Sequence, residues 1–81
     1  MELTKFKKGS KVKIKSINAD LSTRKRIKSF GINIGSEVIV ENFSLMNKNI
    51  EIRTSQGLIA LRESEANEIL CKEILWKIGL R

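Results

Sequence analysis

The chain has 81 residues with a formal net charge of +7, 41% apolar and 31% charged side chains, and neither histidine nor proline. A chain of this length and composition forms one compact globular domain, which excludes a disordered protein. The longest apolar run, residues 58–61, is far shorter than the roughly 18 residues of a membrane span, and the N-terminus lacks a secretory signal. We therefore expect a cytoplasmic protein with no membrane insertion.

The positive charge is concentrated in the first third of the chain. Residues 1–28 carry ten basic and two acidic side chains, whereas residues 29–81 carry six basic and seven acidic ones. Such a block attracts anionic partners, namely nucleic acid, an acidic protein surface or a membrane surface, and charge alone does not choose among them. An A/T-biased genome would also place many lysines at exposed sites without any function, so this interpretation stays open.

The first predicted elements are an N-terminal arm, anchored by Leu3 and Phe6, and a strand. Residues 11–15 alternate lysine with Val12 and Ile14. This period of two is typical of a strand with one buried face and one exposed face.

A short helix is predicted from residue 20 to the glycine at residue 31. Ser22 is a plausible N-cap, and Leu21, Ile27 and Phe30 fall near helical spacing. A glycine suits the left-handed position that follows a helix. The remaining positions are cationic and predict an exposed face: Arg24, Lys25, Arg26 and Lys28.

Three further strands are predicted, at residues 37–43, 50–54 and 58–62. The last two form a hairpin around a turn at 55–57, and the apolar run at 58–61 predicts that its strand is the more fully buried. Short, closely spaced strands with glycine-bearing turns favour a small β-barrel over a parallel α/β arrangement.

The C-terminal part is ambiguous between helix and strand. Ser64 is a plausible N-cap of a second short helix that includes Ile69. Residues 70–74 then form a closing strand, or the helix continues to Lys77, because the apolar spacing satisfies both periods. We favour the strand.

The chemistry that most enzymes need is missing from the sequence. Without histidine there is no imidazole for acid–base catalysis or for a nitrogen-rich metal site, and a single cysteine, Cys71, cannot form an internal disulfide. Glu63, Glu65 and Glu68 are explained by the dipole of a helix start. No phosphate-binding glycine loop is present. We predict no enzyme activity, no catalytic residues, no metal ligands and no cofactor.

Four short segments, in order and spacing, resemble the FeoA family. They are Leu-x-x-Phe-x-x-Gly at 3–9, a cationic helix end with Gly-Ile at 26–32, Gly-Ser-Glu-Val-Ile-Val at 35–40 and Ile-Ala-Leu-Arg followed by Glu-Ser-Glu-Ala at 59–66. The resemblance covers most of residues 1–71. It implies a mainly β, SH3-like barrel of about five strands with one or two short helices, occupying residues 1–74, and a C-terminal tail at 75–81.

The resemblance also implies a function. FeoA proteins are small cytoplasmic accessories of bacterial ferrous iron transport, and contact with the G-protein domain of the membrane transporter is implied. Iron need not touch the chain itself. The alternatives are a small basic nucleic-acid-binding barrel or a regulatory SH3-like module. Nucleic acid is disfavoured because tyrosine is absent and only Phe6 and Phe30 lie near the cationic block.

The predicted partner-binding residues fall into two groups. Four cations would steer an acidic partner: Arg24, Lys25, Arg26 and Lys28. Leu45 and Met46 would supply apolar contacts in the connection between the second and third strands. In the tail, Trp76, Ile78 and Leu80 would pack on the chain's own barrel or, as self-association, on another chain.

Overall fold

The fold is a curled antiparallel sheet with short helical segments at its margins. The computed structural model describes residues 1–44, 46 and 48–74. In chain order its elements are an N-terminal 3-10 turn (Leu3–Lys5), β1 (Lys11–Ile17), α1 (Leu21–Ser29), β2 (Glu37–Ser44), β3 (Asn49–Thr54), β4 (Gly57–Arg62), α2 (Glu63–Ala66) and β5 (Ile69–Glu73). The predicted mainly β fold with five strands and two short helices is confirmed over these residues.

The five strands form one sheet in the order β4-β3-β2-β1-β5, and every neighbouring pair is antiparallel. Register shifts interrupt the pairing of β1 with β5 and of β2 with β3. Such irregularities bend a strand and increase its twist, which lets the sheet curl around its core. The 3-10 turn contacts β5 and α2, and α2 contacts β3 and β4, so these segments connect the two sheet edges.

The core lies inside the curl and draws on every strand. Leu3 and Phe6 are buried, as predicted for the N-terminal arm, and Val12 and Ile14 form the inward face of β1. The buried apolar residues are Leu3, Phe6, Val12, Ile14, Ile27, Ile32, Val38, Val40, Ile50, Ile52, Leu61, Ala66, Ile69 and Cys71.

Helix α1 begins two residues earlier than its predicted cap, Ser22, implies. Its N-cap is Asp20, whose carboxylate accepts a hydrogen bond from the Thr23 backbone N–H at 2.8 Å, and Ser22 lies inside the first turn. Leu21 is 60% exposed, so the helix attaches to the core mainly through Ile27. The prediction of Ser22 as cap was wrong because Asp20 and Ser22 both carry a side-chain oxygen that can cap a helix, and the structure uses that of Asp20.

Strand β4 is less buried than its apolar run predicts. Leu58 is 52% exposed, and Leu61 is the fully buried residue of the strand. Leu58 and Ala60 are exposed whereas Leu61 is buried and Ile59 partly buried, so alternate residues of β4 face away from the core. The apolar run therefore belongs to an edge strand with one exposed face and not to a strand buried on both faces.

Helix α2 is a single turn that begins at Glu63, with Arg62 in the N-cap position where Ser64 was predicted. It ends at Ala66, because Ile69 already belongs to β5 and is fully buried there. The strand alternative for the residues around 70–74 is confirmed by β5, and its pairing with β1 explains the choice. The predicted tail, 75–81, lies outside the described residues.

Candidate partner-binding surface

One of the four predicted helix cations, Arg26, pairs with a carboxylate of the same chain, although its own side chain is 44% exposed. The Nε of Arg26 donates to Oε2 of Glu65 at 2.6 Å, and its guanidinium lies 5.1 Å from the centroid of the Phe30 ring. Glu65 also accepts the backbone N–H of Arg62 at 3.0 Å, closing the first turn of α2. Arg26 therefore ties α1 to α2.

The carboxylate of Glu65 is well suited to hold that cation. Its side chain is only 8% exposed. Burial alone would raise its pKa, but the hydrogen bonds from the Arg62 backbone and the Arg26 side chain outweigh burial, so the pKa lies below the ordinary value of 4.5. Glu65 is therefore ionised at neutral pH, and the ion pair persists there.

The other three helix cations face solvent. Arg24, Lys25 and Lys28 are exposed, and none of them forms an ion pair within the part of the chain that the structure describes. Charges in this setting keep their full hydration and act on an approaching molecule over about a Debye length. We name Arg24, Lys25 and Lys28 the cationic face of α1.

A groove lies beside α2, where the β2–β3 connection meets the N-terminal 3-10 turn. It consists of two adjoining hollows of about 450 and 460 Å³. Both are lined by Lys48, Asn49 and Glu63, and the first also by Phe6 and Phe43. We name it the β2–β3 groove.

The residues around this groove combine apolar and polar groups. Met46 is 92% exposed, and Phe43 is also exposed at the end of β2. Lys48 adopts a left-handed backbone conformation with φ of 51°, and its carbonyl accepts the Glu63 N–H at 2.7 Å. Leu45, the other predicted apolar contact, lies outside the described residues.

Helix α2 provides one residue to the contact with α1 and another to the β2–β3 groove. Glu65 binds Arg26 of α1, whereas Glu63, two positions earlier, lines the β2–β3 groove. Of the predicted partner-binding residues, Arg26 thus lies against this short helix, whereas Arg24, Lys25 and Lys28 are exposed on α1. Phe43 and Lys48 were not predicted as partner-binding residues. The position of Phe43 at the end of a predicted strand and the start of a connection was a signal that its aromatic side chain is not buried in the core.

Neither the thiol nor the acidic residues form a reactive centre in the described part. Cys71 is a buried free cysteine, and burial raises its pKa to about 11 despite the nearby N-terminal amine. Such a thiol is protonated at neutral pH and unreactive. Among residues 1–44, 46 and 48–74, no three histidine, cysteine or acidic side chains stand close enough to hold a metal ion.

None of the helices described here has the length and apolar character to cross a membrane.

Comparison with known proteins identifies relatives of both sequence and structure. The sequence model of the FeoA domain matches residues 1–73. A putative Fe(2+) transport protein A of Helicobacter pylori is 32% identical over 56 residues, which are 69% of this chain and 74% of that protein.

Two solved structures share the fold over nearly the whole chain. The FeoA protein of Chlorobium tepidum superimposes with a TM-score of 0.85 at 25% identity, covering 93% of this chain and 71% of that one. A FeoA-like protein of Clostridium acetobutylicum gives 0.82 at 32% identity, covering 94% and 88%. With the family domain, the sequence relative and the fold in agreement, the chain belongs to the FeoA family.

Proposed function

We propose that this chain is a non-enzymatic, cytoplasmic accessory protein of ferrous iron transport that binds the cytoplasmic G domain of the membrane transporter and modulates it. Membership of the FeoA family associates the chain with ferrous iron transport. The observation that supports binding is the cationic face of α1, three exposed cations with no internal ion pair among the described residues.

The cationic face supplies long-range attraction. Arg24, Lys25 and Lys28 occupy one helix of nine residues, and the formal net charge of the chain is +7. Clustered charges of one sign raise the association rate with an acidic surface and lose this effect as salt rises. An acidic face of the G domain is therefore the expected counterpart.

The β2–β3 groove supplies short-range contacts. Phe43 lines the groove and is exposed, and Met46 is 92% exposed in the connection between β2 and β3. Such apolar residues become energetically important when a partner removes them from water. Lys48 and Glu63 can hydrogen-bond the rim of a partner. In this proposal the cationic face speeds association with the G domain, and contacts in the β2–β3 groove slow dissociation.

A modulating role does not require chemistry from this chain. The sequence has no histidine, and its cysteine is a buried thiol with a raised pKa. Binding alone changes the partner's cycle if the chain prefers one conformation of the G domain over another. The measurable result is a change in nucleotide hydrolysis or release by the G domain.

The test is a calorimetric titration of the purified G domain with the full chain. Replacing the cationic face in R24Q/K25Q/K28Q should weaken binding about tenfold at low salt, because steering is lost. The matched control K13Q/K15Q/K72Q removes the same charge from exposed lysines of β1 and β5 and should bind like the unchanged chain. Equal weakening by both variants would contradict the proposed face.

The same variants address the nucleic-acid alternative. Phosphate contacts release counterions, so binding to DNA would fall steeply between about 0.05 and 0.2 M salt. A gel shift by the unchanged chain at low salt would favour that alternative, and its absence together with G-domain binding would support the transport role.

A further inference from the structure

The two edge strands of the sheet, β5 and β4, differ in whether another segment of the described chain pairs with their outer side. The edge of β5 is occupied by the N-terminus: the Cys71 N–H donates to the Met1 carbonyl at 2.8 Å, the Met1 ammonium donates to the Cys71 carbonyl at 3.2 Å, and Glu2 bridges to Leu70. Beyond β4, the described residues provide no neighbouring strand. An edge of this kind presents backbone donors and acceptors to any strand that approaches.

The pairing with β3 fixes which groups of β4 point outward. Six residue pairs lie directly opposite each other, and in an antiparallel ladder every second pair exchanges backbone hydrogen bonds. Here these are Thr54 with Gly57, Ile52 with Ile59, and Ile50 with Leu61. The Glu63 N–H donates to the Lys48 carbonyl, which continues this same series toward β3.

The residues in between point the other way, because backbone hydrogen bonds alternate in direction along an antiparallel strand. Arg62 shows this, since its N–H leaves β3 and donates to Glu65 at 3.0 Å. The N–H and C=O groups of Leu58 and Ala60 therefore face the open edge.

Nothing within this segment protects the edge in the ways that are common in natural sheets. Residues 57–61 contain no charge and no proline, and the β3–β4 register runs without the shifts seen in the β1–β5 and β2–β3 pairs. Leu58 is 52% exposed and Ala60 is also exposed. Charges, prolines and bulges are the usual devices against edge pairing.

We propose that β4 pairs antiparallel with β4 of a second copy of this chain, around a two-fold axis through Ile59. In this register Leu58 lies opposite the partner's Ala60, and Ala60 lies opposite the partner's Leu58. Every outward N–H and C=O of these two residues then has a hydrogen-bond partner. The two sheets become one continuous sheet across the interface.

The features of the strand favour a copy of itself as the occupant. A two-fold interface brings one surface against the same surface, so each large Leu58 side chain meets the small side chain of the partner's Ala60. Centring the axis on Ala60 would instead place Leu58 against the partner's Arg62, whose N–H is already bonded to a carboxylate in each chain. Of these two registers, the available groups favour the axis through Ile59.

Salt separates this pairing from binding to the G domain. The paired segment is uncharged, but each chain carries a formal net charge of +7, so two copies repel each other at low salt. Screening should strengthen pairing between about 0.05 and 0.5 M salt, whereas binding driven by the cationic face should weaken. Failure of either proposal leaves the other one intact.

The test is amide hydrogen exchange of the full chain at several concentrations, together with sedimentation equilibrium. We expect a concentration-dependent dimer in which exchange of the Leu58 and Ala60 amides slows at least about tenfold as the dimer forms. The Ile59 amide bonds within the β3–β4 hairpin and should be protected at every concentration.

Two variants and a control make the outcome specific. Both L58K, which charges the edge, and A60P, which removes an outward N–H at a position where an edge strand tolerates proline, should give monomers. I34K makes the same apolar-to-lysine change at a loop residue that is 71% exposed and should still dimerise. Thermal unfolding confirms that each variant is folded.

A monomer at all concentrations and salts would overturn the proposal, as would a dimer that persists in L58K. Protection of the Leu58 and Ala60 amides that does not depend on concentration would also overturn it, because a segment of the same chain would then occupy the edge.

Discussion

Helix α1 carries cationic side chains on two sides, one that faces a buried carboxylate and one that faces solvent. On one side Arg26 contacts Glu65 at 2.6 Å and lies over Phe30, joining the helix to α2. On the other side, Arg24 and Lys25 are exposed to solvent without an internal ion pair among the described residues. A run of cations on one helix therefore does not have a single role, because the position of the buried Glu65 carboxylate determines which cation is structural and which remain available to a partner.

Truncating the buried side chain that attaches α1 to the core should have the largest effect on stability, because the whole helix depends on this contact. Ile27 is the fully buried residue of the helix. Ile27→Ala leaves a cavity and should lower the free energy of unfolding by about 3 kcal/mol. Urea denaturation followed by circular dichroism measures the change, and a loss below about 1 kcal/mol would show that α1 does not depend on this contact.

Removing the charge of the buried Glu65 carboxylate should have an intermediate effect on stability, because it weakens only the contact between Arg26 and α2. Glu65→Gln replaces a charge-assisted hydrogen bond to Arg26 with a neutral one and should cost about 2 kcal/mol. Glu68→Gln changes an exposed glutamate close by in the chain and is the matched control, with little expected loss. Similar stabilities of the two variants would mean that the ion pair does not hold α1 to α2.

The ion pair should also make stability depend on pH. Because the folded-state pKa of Glu65 is below the ordinary value of 4.5, its contribution is fully present above that value and is lost as the pH falls through the lower folded-state pKa. The difference in unfolding free energy between the unchanged chain and Glu65→Gln should therefore shrink from pH 7 toward pH 3. A constant difference across this range would contradict the assignment.

Neutralising the cationic face of α1 should have the smallest effect on stability. In R24Q/K25Q/K28Q all three side chains are exposed, so the unfolding free energy should change by less than about 0.5 kcal/mol. Equilibrium denaturation measures this. A loss comparable to that of Glu65→Gln would show that these cations also support the fold.

Much of the fold could be predicted because strands and turns leave local signals. The period-two alternation of Val12 and Ile14 predicted β1, and the glycine at Gly31 fits its φ of 83°. The exposure of Leu58 could not be predicted, because residues 58–61 are apolar on both faces of the strand and so do not show which face is turned to the core. The choice of Asp20 over Ser22 as N-cap likewise depends on where the chain enters the helix.

Less of the site could be predicted, because its defining contact is between distant parts of the sequence. The hydrogen bond between Arg26 and Glu65 spans 39 positions, and the spacing of charges along α1 does not show which cation it involves. Phe43 and Lys48 line the β2–β3 groove only because the N-terminal 3-10 turn and α2 pack nearby. Leu45 stays a prediction.

Binding of the G domain to the cationic face and the β2–β3 groove is tested most directly by amide chemical-shift mapping of the labelled chain during titration with the transporter's G domain. We expect shifts that saturate with added G domain and cluster at residues 24–28 and at Phe43, Met46 and Lys48. Saturable shifts confined to the outer faces of β1 and β5, or no shifts at all, would contradict it.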